Sequence, residues 1–388
     1  PADPTPGRYA VSLFGEDKTR DLAFDTLSQW QLVRLRFCKH KLAVTAFFVL
    51  GVLYTVALFA GFFAPQSPWT RNLDYSYCPP HRIAFSVRRG LYVKGIRQHT
   101  DPILMRKSYV DDPERNVPLS LFVKGAPYRL LGFIPCSRHF LGVDANELPV
   151  CFPARHRVFF LLGADKYGRD ILSRVISGAR ISLSVGLIGI AITFVLGLLI
   201  GGISGYAGGR VDNVIQRTIE IINSFPRLPM WLALGAAVPG DWSPLKTYFA
   251  ITIALSLLSW TRLARVVRGK ILALREEDYA MAARLLGAGH GRIIFRHLLP
   301  GFTSHIIVAL TLNIPGMILG ETSLSFLGLG LRPPIVSWGV MLQDCMDIKA
   351  VSYYPWLMAP VVMIVATVLC FNFFGDGLRD AADPYASR

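Results

Sequence analysis

Three motifs that mark common enzyme chemistries are absent from this sequence. It contains no Gly-x-x-x-x-Gly-Lys-Ser/Thr loop for phosphates, no His-Glu-x-x-His pair for zinc and no Gly-x-Ser-x-Gly nucleophile. Its eight histidines are scattered without the spacing of metal ligands. We therefore predict a chain that is not an enzyme and that holds no cofactor or metal ion of its own.

Charged residues are also scarce. They make up 17% of the 388 residues, whereas hydrophobic residues reach 52% and the mean hydropathy is +0.40. A soluble protein of this size is rarely so apolar, and a helix needs about 20 apolar residues to cross a bilayer. Six segments predict an all-α polytopic membrane protein: 42–64, 181–206, 219–238, 248–264, 302–327 and 354–374. Asn223, Pro226, Arg227 and Pro229 interrupt the third segment.

Acidic residues are outnumbered by basic ones, 26 to 41, which gives a net charge of +15. The basic residues flank spans instead of forming a nucleic-acid surface, and cytoplasmic flanks are typically rich in Lys and Arg. Those beside the first and fourth spans are Arg34, Arg36, Lys39, Lys41, Arg262, Arg265, Arg268, Lys270 and Arg275. We expect no nucleic-acid partner, cytoplasmic amino and carboxyl termini, and an external location for the segment between the first two spans.

The chain divides into a tail (1–41), a first span (42–64), an external insertion (65–160) and a core with five more spans (161–388). Apolar and basic residues alternate in 25–40, which predicts an interfacial helix; a solvated tail is the alternative. The tail is polar and no small-residue cleavage site follows the first span, so we interpret that span as a retained anchor and not a signal peptide.

The insertion contains short apolar stretches separated by Pro, Gly and Asp. Four of them predict strands, at 83–87, 91–96, 119–123 and 128–134. Aromatic residues are available to form a core: Tyr77, Phe85, Tyr92, Tyr109, Phe122, Tyr128, Phe133 and Phe140. We therefore predict a small folded, strand-rich domain.

Four cysteines are expected on the outer side: Cys78, Cys136, Cys151 and Cys345. An oxidising compartment permits disulfides between them, with three complete pairings possible. A bond between Cys136 and Cys151 would close a short loop. Buried free thiols are the equally weighted alternative.

The segment 275–300 is a polar island between two apolar runs. Glu277 or Asp278 can cap a helix, and Tyr279, Ala282, Ala283 and Leu286 share one helical face. The glycines at 287 and 289 are predicted to stop that helix in left-handed conformations, and a second short helix at 292–299 is predicted to end at the following proline. A small-residue face with basic neighbours suits a groove in a partner protein. An amphipathic helix resting on lipid headgroups is the alternative.

Two stretches resemble a known family. The segment 162–170 reads Leu-Gly-Ala-Asp-Lys-Tyr-Gly-Arg-Asp and is similar to the signature before the second span in dipeptide and oligopeptide permeases. In 275–300, the spacing of Ala282-Ala283, Gly287 and Leu299-Pro300 resembles the EAA loop of ABC importer permeases. Met281 replaces the glutamate that names this loop and His297 replaces its usual isoleucine, so a glutamate's polar contact is not expected here.

The resemblance, over about 30–64 and 160–386, implies a type I ABC importer permease of the dipeptide, oligopeptide and nickel subfamily in a bacterial inner membrane. It implies a homologous second permease, two ATPase subunits that bind ATP and Mg, and an external substrate-binding protein. The helix that docks on the ATPase would comprise Glu277, Asp278, Tyr279, Ala282, Ala283, Arg284, Leu286, Gly287 and Ala288. Peptides are the subfamily's commonest cargo; oligosaccharides and nickel are alternatives. From the insertion itself we expect a cap over the pore mouth that contacts the binding protein or the paired permease; plain stabilisation of the fold is the alternative.

Several residues within the spans call for an interpretation. Small residues at intervals of four let helices approach closely in a membrane, and we interpret Gly197, Gly201, Gly205, Gly316 and Gly320 as packing positions within the bundle or across a permease dimer. An acid at membrane depth is costly and usually faces a polar interior. Glu321 is therefore a candidate for the translocation path or a gate. The alternative is a structural acceptor for Thr322, Ser325 or a neighbouring helix.

Two rival functions remain. A membrane enzyme lacks its motifs in this sequence. A secondary transporter would have to work without paired charges in its spans or detectable inverted repeats, and it would leave the island at 275–300 unexplained.

Overall fold

The computed structural model of this chain describes residues 29–86, 90–100, 102–103, 107–112, 116–143 and 158–382. In chain order the helices are α1 (Gln29–Lys39), α2 (Lys41–Leu58), α3 (Ala60–Phe63), α4 (Ile171–Ala207), α5 (Gly209–Ser224), α6 (Arg227–Ala236), α7 (Pro244–Leu274), α8 (Asp278–Leu285), α9 (His290–Arg292), α10 (Leu299–Thr311), α11 (Ile314–Phe326), α12 (Trp338–Leu342), α13 (Ile348–Tyr353) and α14 (Ala359–Ala382). Only the second part of the predicted interfacial helix, α1, lies within the described residues.

Among the described residues, five helical segments are long and apolar enough to cross a bilayer: Lys41–Leu58, Ile171–Ala207, Pro244–Leu274, His290–Phe326 and Pro355–Ala382. The second is much longer than predicted, because the buried Asp170 caps a helix that begins at Ile171, ten residues before the apolar run that starts at Ile181. Its 37 residues correspond to about 55 Å, which exceeds the hydrocarbon thickness of a bilayer. One end of α4 therefore extends beyond the membrane.

The predicted third span, 219–238, is not one helix. It falls on the second half of α5 and on α6, which are 16 and 10 residues long and separate at Phe225 and Pro226. A residue before proline is pushed into extended backbone, and Phe225 has a ψ of 139°. The prediction of six continuous spans is therefore wrong on this point.

The predicted fifth span is also divided. A π-helical turn at Ile293–Leu298 leads into α10, Phe302 departs from helical geometry, and the chain bends again between α10 and α11. Pro300 lies in the first turn of α10 and does not end the preceding helix as predicted. Proline cannot donate to the ordinary i−4 carbonyl, and its ring crowds the preceding turn. A wider π turn placed just before it accommodates both effects.

Seven strands lie in the described part of the insertion: β1 (Ile83–Ser86), β2 (Gly90–Val93), β3 (Ile96–Thr100), β4 (Lys107–Asp111), β5 (Val117–Pro118), β6 (Ser120–Leu130) and β7 (Ile134–Gly142). They form an antiparallel sheet in the order β1-β2-β5 and two hairpins, β3-β4 and β6-β7. The sequence predicted one strand at 119–123 and another at 128–134, whereas β6 runs through both regions as far as Leu130.

The β6-β7 hairpin is attached directly to the end of the first span. His139 is buried between the strands and α3, and its ring nitrogens lie 2.7 Å from the carbonyl oxygen of Ala64 and 2.9 Å from that of Ala126. Gln66 joins the two ends of the insertion by donating from Nε2 to the carbonyl of Phe159 at 2.6 Å, and its backbone amide donates to Oγ of Ser173 on α4 at 3.0 Å. These contacts fix the insertion against the core.

The glycines of α4 bring its backbone against α7. A methyl group at Gly201 would lie 2.5 Å from the carbonyl oxygen of Ala264, and one at Gly205 would lie 2.8 Å from that of Arg268. Gly197 faces the side chain of Leu263 at a similar separation. The interval of four residues therefore forms a continuous close contact between the second span and α7.

The two glycines of α11 behave differently. Gly320 packs closely, since an added methyl would lie 2.9 Å from Leu255 and 3.2 Å from Trp231. At Gly316 an added methyl would meet nothing within 4 Å in the described part of the chain. The packing contact predicted for Gly316 is therefore absent from the described chain.

Candidate functional site

Helix α8 follows the long helix α7 in the chain and precedes α9 and the π turn that leads into α10. Glu277 occupies its N-cap position with extended backbone but makes no capping hydrogen bond through its side chain. Asp278 lies in the first turn, where its negative charge suits the positive end of the helix dipole. The start of the helix agrees with the prediction, while the cap is electrostatic and not a side-chain hydrogen bond.

The buried face of α8 is narrower than predicted and shifted. Ala280 and Ala283 are buried against a cluster that includes Ile293 and Phe302. Of the predicted face, Ala283 is buried, whereas Tyr279, Ala282 and Leu286 are exposed. The large apolar side chains of α8 and its C-cap point away from the rest of the protein, with exposed fractions of 44% for Tyr279, 46% for Met281 and 88% for both Leu285 and Leu286. Arg284, Arg292 and Arg296 are exposed around them.

The helix ends in a Schellman motif. Gly287 is left-handed, with φ at 78°, and its amide donates to the carbonyl of Arg284 at 3.0 Å. The amide of Ala288 donates to Ala283 at 3.1 Å, which completes the two bonds of this motif. The prediction of a left-handed stop holds at Gly287 but is wrong at Gly289, whose φ is −66° because it serves as the N-cap of α9.

Both ends of the loop that carries α8 are anchored to the last turn of α4. Before α8, Arg275 donates from Nη1 to the carbonyls of Gly205 and Tyr206, at 3.1 and 3.4 Å. After α8, Nδ1 of His290 lies 3.0 Å from the Tyr206 hydroxyl. These contacts satisfy carbonyls at the helix C-terminus, where a cation is also favourable. The position of α8 is therefore tied to the end of the second span.

A charged cluster that sequence inspection missed joins the same region. Arg268 of α7 donates from two nitrogens to the two carboxylate oxygens of Asp212 on α5, both at 2.5 Å. Ser204 of α4 donates to the same carboxylate at 2.5 Å. The Arg268 contact lowers the pKa of Asp212 below its ordinary value. The two residues are 56 positions apart, so no local pattern could have paired them.

Glu321 is fully buried and bonded to three hydroxyl groups. Its Oε1 accepts from Ser325 and Ser337, each at 2.8 Å, and its Oε2 accepts from Ser182 at 3.1 Å. Ser182 belongs to α4 and Ser337 caps α12, so the carboxyl group joins three elements. Thr322, one of the partners considered from sequence, has a hydroxyl without a hydrogen bond in the described chain. This geometry favours the structural-acceptor alternative; the role of Glu321 in the translocation path or a gate stays a prediction.

The segment 162–170 forms a charged anchor at the other end of α4. Asp165 is buried, accepts from Nε of Arg169 at 2.6 Å and also pairs with Arg174. Lys166 reaches Asp344, 2.9 Å away, in the 3-10 turn after α12. The segment that resembles the permease signature therefore locks the start of the second span to a distant loop.

Asp170 caps α4 from a buried position. Its Oδ2 accepts from the amide and the hydroxyl of Ser173, at 2.8 and 2.5 Å. Its Oδ1 has no partner among the described residues. Burial raises the pKa of Asp170 to about 6, although the bonds from Ser173 oppose this shift.

The cysteines leave one prediction open. Cys78 and Cys345 are free thiols that donate to the carbonyls of Pro79 and Leu357, each at 3.3 Å. Cys136 is half-buried on β7. Cys151 lies outside the described residues, so its bond with Cys136 stays a prediction.

Two sequence families match separate parts of the chain. Residues 197–388 match the family described as binding-protein-dependent transport system inner membrane component. Residues 28–80 match the family described as the N-terminal TM domain of oligopeptide transport permease C. The matched regions include α1 to α3 and, from the last third of α4 onward, every later helix.

Known proteins are similar over much of the length. The dipeptide transport system permease protein DppC of Lactococcus lactis subsp. cremoris is 32% identical over 379 residues, which cover 96% of each chain. The oligopeptide transport system permease protein OppC of Bacillus subtilis is 40% identical over 223 residues, 57% of this chain and 70% of the relative. Among solved structures, a chain of the MetNI methionine ABC transporter in an inward-facing conformation aligns over 56% of this chain and 98% of its own, with 18% identity and a TM-score of 0.42.

Proposed function

This chain belongs to the family of inner-membrane permeases of binding-protein-dependent transport systems, and we propose that α8 is the element through which ATPase subunits drive it. In this proposal the chain forms half of a translocation pore with a homologous permease. ATP and Mg bind to two separate ATPase subunits, and an external binding protein delivers the substrate. The loop at 275–300 and both termini face the cytoplasm.

The observation that carries the proposal is the exposed apolar surface of α8, formed by Tyr279, Met281, Leu285 and Leu286. Both leucines are 88% exposed on a helix of eight residues. Clustered exposed apolar side chains mark protein or membrane contact sites. A surface carried on a short capped helix, with basic residues at its edge, suits a groove in a partner protein. Met281, in place of the glutamate of related loops, extends this apolar surface.

The contacts behind α8 suit the transmission of force. Ala280 and Ala283 allow the helix to lie close to the chain, and Arg275 and His290 fix its two flanks to α4. From there, the glycine contacts couple α4 to α7. A movement of α8 would therefore move two long helices together, as expected of a rigid element between two sites. Closure of the ATPases on ATP would tilt α8 and turn the pore outward, and hydrolysis would reset it.

We propose peptides as the substrate. The support is the peptide transport named for the relatives of Bacillus subtilis and Lactococcus lactis. Uptake of labelled dipeptides and oligopeptides by cells with and without this chain tests the proposal. Uptake of an oligosaccharide or of nickel in place of peptides would contradict it.

Docking through α8 is tested by replacing both exposed leucines, Leu285→Ser and Leu286→Ser, and measuring how tightly the ATPase subunits bind. Two buried leucines contribute about 3 kcal/mol or more, so affinity should fall at least about a hundredfold. Ile348→Ser is the matched control, because Ile348 is 81% exposed on α13, outside the proposed surface. Wild-type ATPase affinity in a folded double variant would overturn the proposal.

A further inference from the structure

The tip of the β6-β7 hairpin is an exposed apolar turn. No charged residue occurs between Arg129 and Arg138, and the sequence between them reads Leu-Leu-Gly-Phe-Ile-Pro-Cys-Ser. At the tip, Leu131, Phe133 and Ile134 are 40%, 72% and 41% exposed. Three adjacent apolar side chains on one turn form a surface that water disfavours.

The contacts along the hairpin show which way this tip points. At the base, Phe140 lies 5.8 Å from Phe63, measured between ring centroids. Further along, the ring of Tyr128 lies against Gly61, and closer to the tip Leu130 lines one cavity with Phe59. From the base of the hairpin to its tip, the residues that it meets are therefore Phe63, Gly61 and Phe59, which lie progressively closer to Leu58 at the end of the first span.

This order means that the hairpin runs alongside the end of the first span and toward the bilayer. Leu131 and Phe133 lie beyond Leu130 along the hairpin and continue it in this direction. Helix α2 is apolar and long enough to cross a bilayer, and we place the start of the hydrocarbon region at its last residue, Leu58. The tip is therefore placed at the boundary between headgroups and acyl chains.

The backbone of the turn is suited to such a boundary. Polar backbone groups that enter lipid must find partners within the protein. The amide of Gly132 donates to the carbonyl of Arg129 at 3.4 Å, and that of Phe133 donates to Leu130 at 3.2 Å. Leu131 and Gly132 both adopt positive φ, which closes the turn tightly. The tip can therefore leave water without leaving these two donors unpaired.

Basic residues stand behind the apolar tip. Lys124, Arg129 and Arg138 are exposed on the two strands, with Lys124 directly opposite Arg138. Arg180 of α4 donates to the carbonyls of Ala57 and Leu58, at the end of the first span. Cations at this height suit the phosphate groups of lipids, and aromatic residues are typical of the same layer.

We propose that the β6-β7 tip, Leu131 to Ile134, is inserted into the leaflet on the insertion side, with phospholipid as its partner and Arg129 and Arg138 at the headgroup phosphates. The hairpin is thus a second membrane contact of the insertion, beside the first span. It would hold the insertion at a fixed height above the spans. This proposal does not depend on the docking role of α8.

Photocrosslinking of the full chain in nanodiscs of phosphatidylethanolamine and phosphatidylglycerol tests this placement. A benzophenone amino acid is introduced at Phe133 and, as the matched control, at Leu121, which is 58% exposed at the base of the same hairpin. The expected result is phospholipid adducts at position 133 and few or none at position 121. The same pattern is expected when the paired permease, ATPase and binding-protein subunits are present.

Other partners give other products. Adducts of position 133 with a peptide of the paired permease or the binding protein would overturn the proposal, as would lipid adducts no more frequent than at position 121. A dansyl amino acid at the same two positions provides a second readout. Nitroxide-labelled lipid should quench it several-fold more strongly at 133 than at 121, and iodide in water should show the reverse. Equal quenching at both positions would contradict insertion.

Discussion

The hydroxyl of Tyr206, in the last turn of the second span, lies 3.0 Å from Nδ1 of His290, just beyond α8. Arg275, just before α8, binds backbone carbonyls of the same turn. The loop that carries α8 is therefore fixed at both ends to one helix terminus. This arrangement gives a defined route from the exposed apolar surface to the spans.

Removal of the Tyr206 hydroxyl should weaken the connection between α8 and the end of α4. Tyr206→Phe keeps the ring contact with His290 but deletes a hydrogen bond, which contributes about 0.5–1.5 kcal/mol. We expect substrate transported per ATP hydrolysed to fall by about two- to tenfold while the ATPase subunits stay bound. Tyr54→Phe is the control, because the Tyr54 hydroxyl has no hydrogen-bond partner in the described chain. Equal coupling in the two variants would remove Tyr206 from the route.

The close contact of α4 with α7 predicts different effects for two similar substitutions. Gly201→Ala places a methyl 2.5 Å from a backbone carbonyl oxygen, so the helices must separate. We expect a loss of about 1–3 kcal/mol, the usual effect of overpacking. Gly316→Ala meets no described atom within 4 Å and should be neutral or slightly stabilising. Thermal unfolding of the two purified variants compares them, and equal melting temperatures would contradict the packing.

The three serines around Glu321 predict how its variants behave. Glu321→Gln keeps one carbonyl oxygen for Ser325 and Ser337 and turns its amide toward Ser182, so we expect transport within about twofold of wild type. Glu321→Leu leaves three buried hydroxyls without their acceptor, each at a cost of about 1–3 kcal/mol, and should unfold at a clearly lower temperature. Transport and thermal unfolding, measured together, distinguish the two roles. A stable Glu321→Gln protein that does not transport would return this residue to the translocation path.

The buried cap of α4 predicts a pH dependence of stability. The folded pKa of Asp170 is about 6, above its ordinary value, so the folded chain binds this proton more tightly than the unfolded chain. Its contribution is fully present below about pH 4 and is lost as the pH rises through about 6, on the order of 3 kcal/mol in all. Asp170→Asn keeps a capping oxygen and cannot ionise.

Thermal unfolding of wild type and Asp170→Asn between about pH 4 and pH 6 isolates the contribution of the Asp170 proton, because the other titratable groups are the same in both proteins. Wild type should lose stability relative to the variant as the pH rises. Parallel curves would show that Asp170 does not carry this proton.

Much of the membrane character and the family could be predicted from the sequence. Long apolar runs and the spacing at 162–170 and 275–300 are local signals, and the peptide permease family is confirmed by the relatives. The interruption of the third predicted span was also visible as prolines. The apolar composition of this segment nevertheless favours a single span over the two separate helices of the structure.

What the sequence could not predict depends on distant contacts. The buried face of α8 is set by Phe302 and Ile271, which approach from other helices, so the small alanines turn inward and the leucines stay outside. Gly197 and Gly316 belong to similar patterns, yet only the first packs closely in the described chain. Asp212 and Arg268 likewise meet only after folding.

Hydrogen–deuterium exchange of the purified permease with and without its ATPase subunits tests the docking of α8 most directly. If α8 lies in an ATPase groove, the amides of 279–289 should exchange at least about tenfold more slowly in the complex, while those of 120–142 stay unchanged. Equal exchange of 279–289 in both samples, with the ATPase subunits bound, would contradict the proposed coupling.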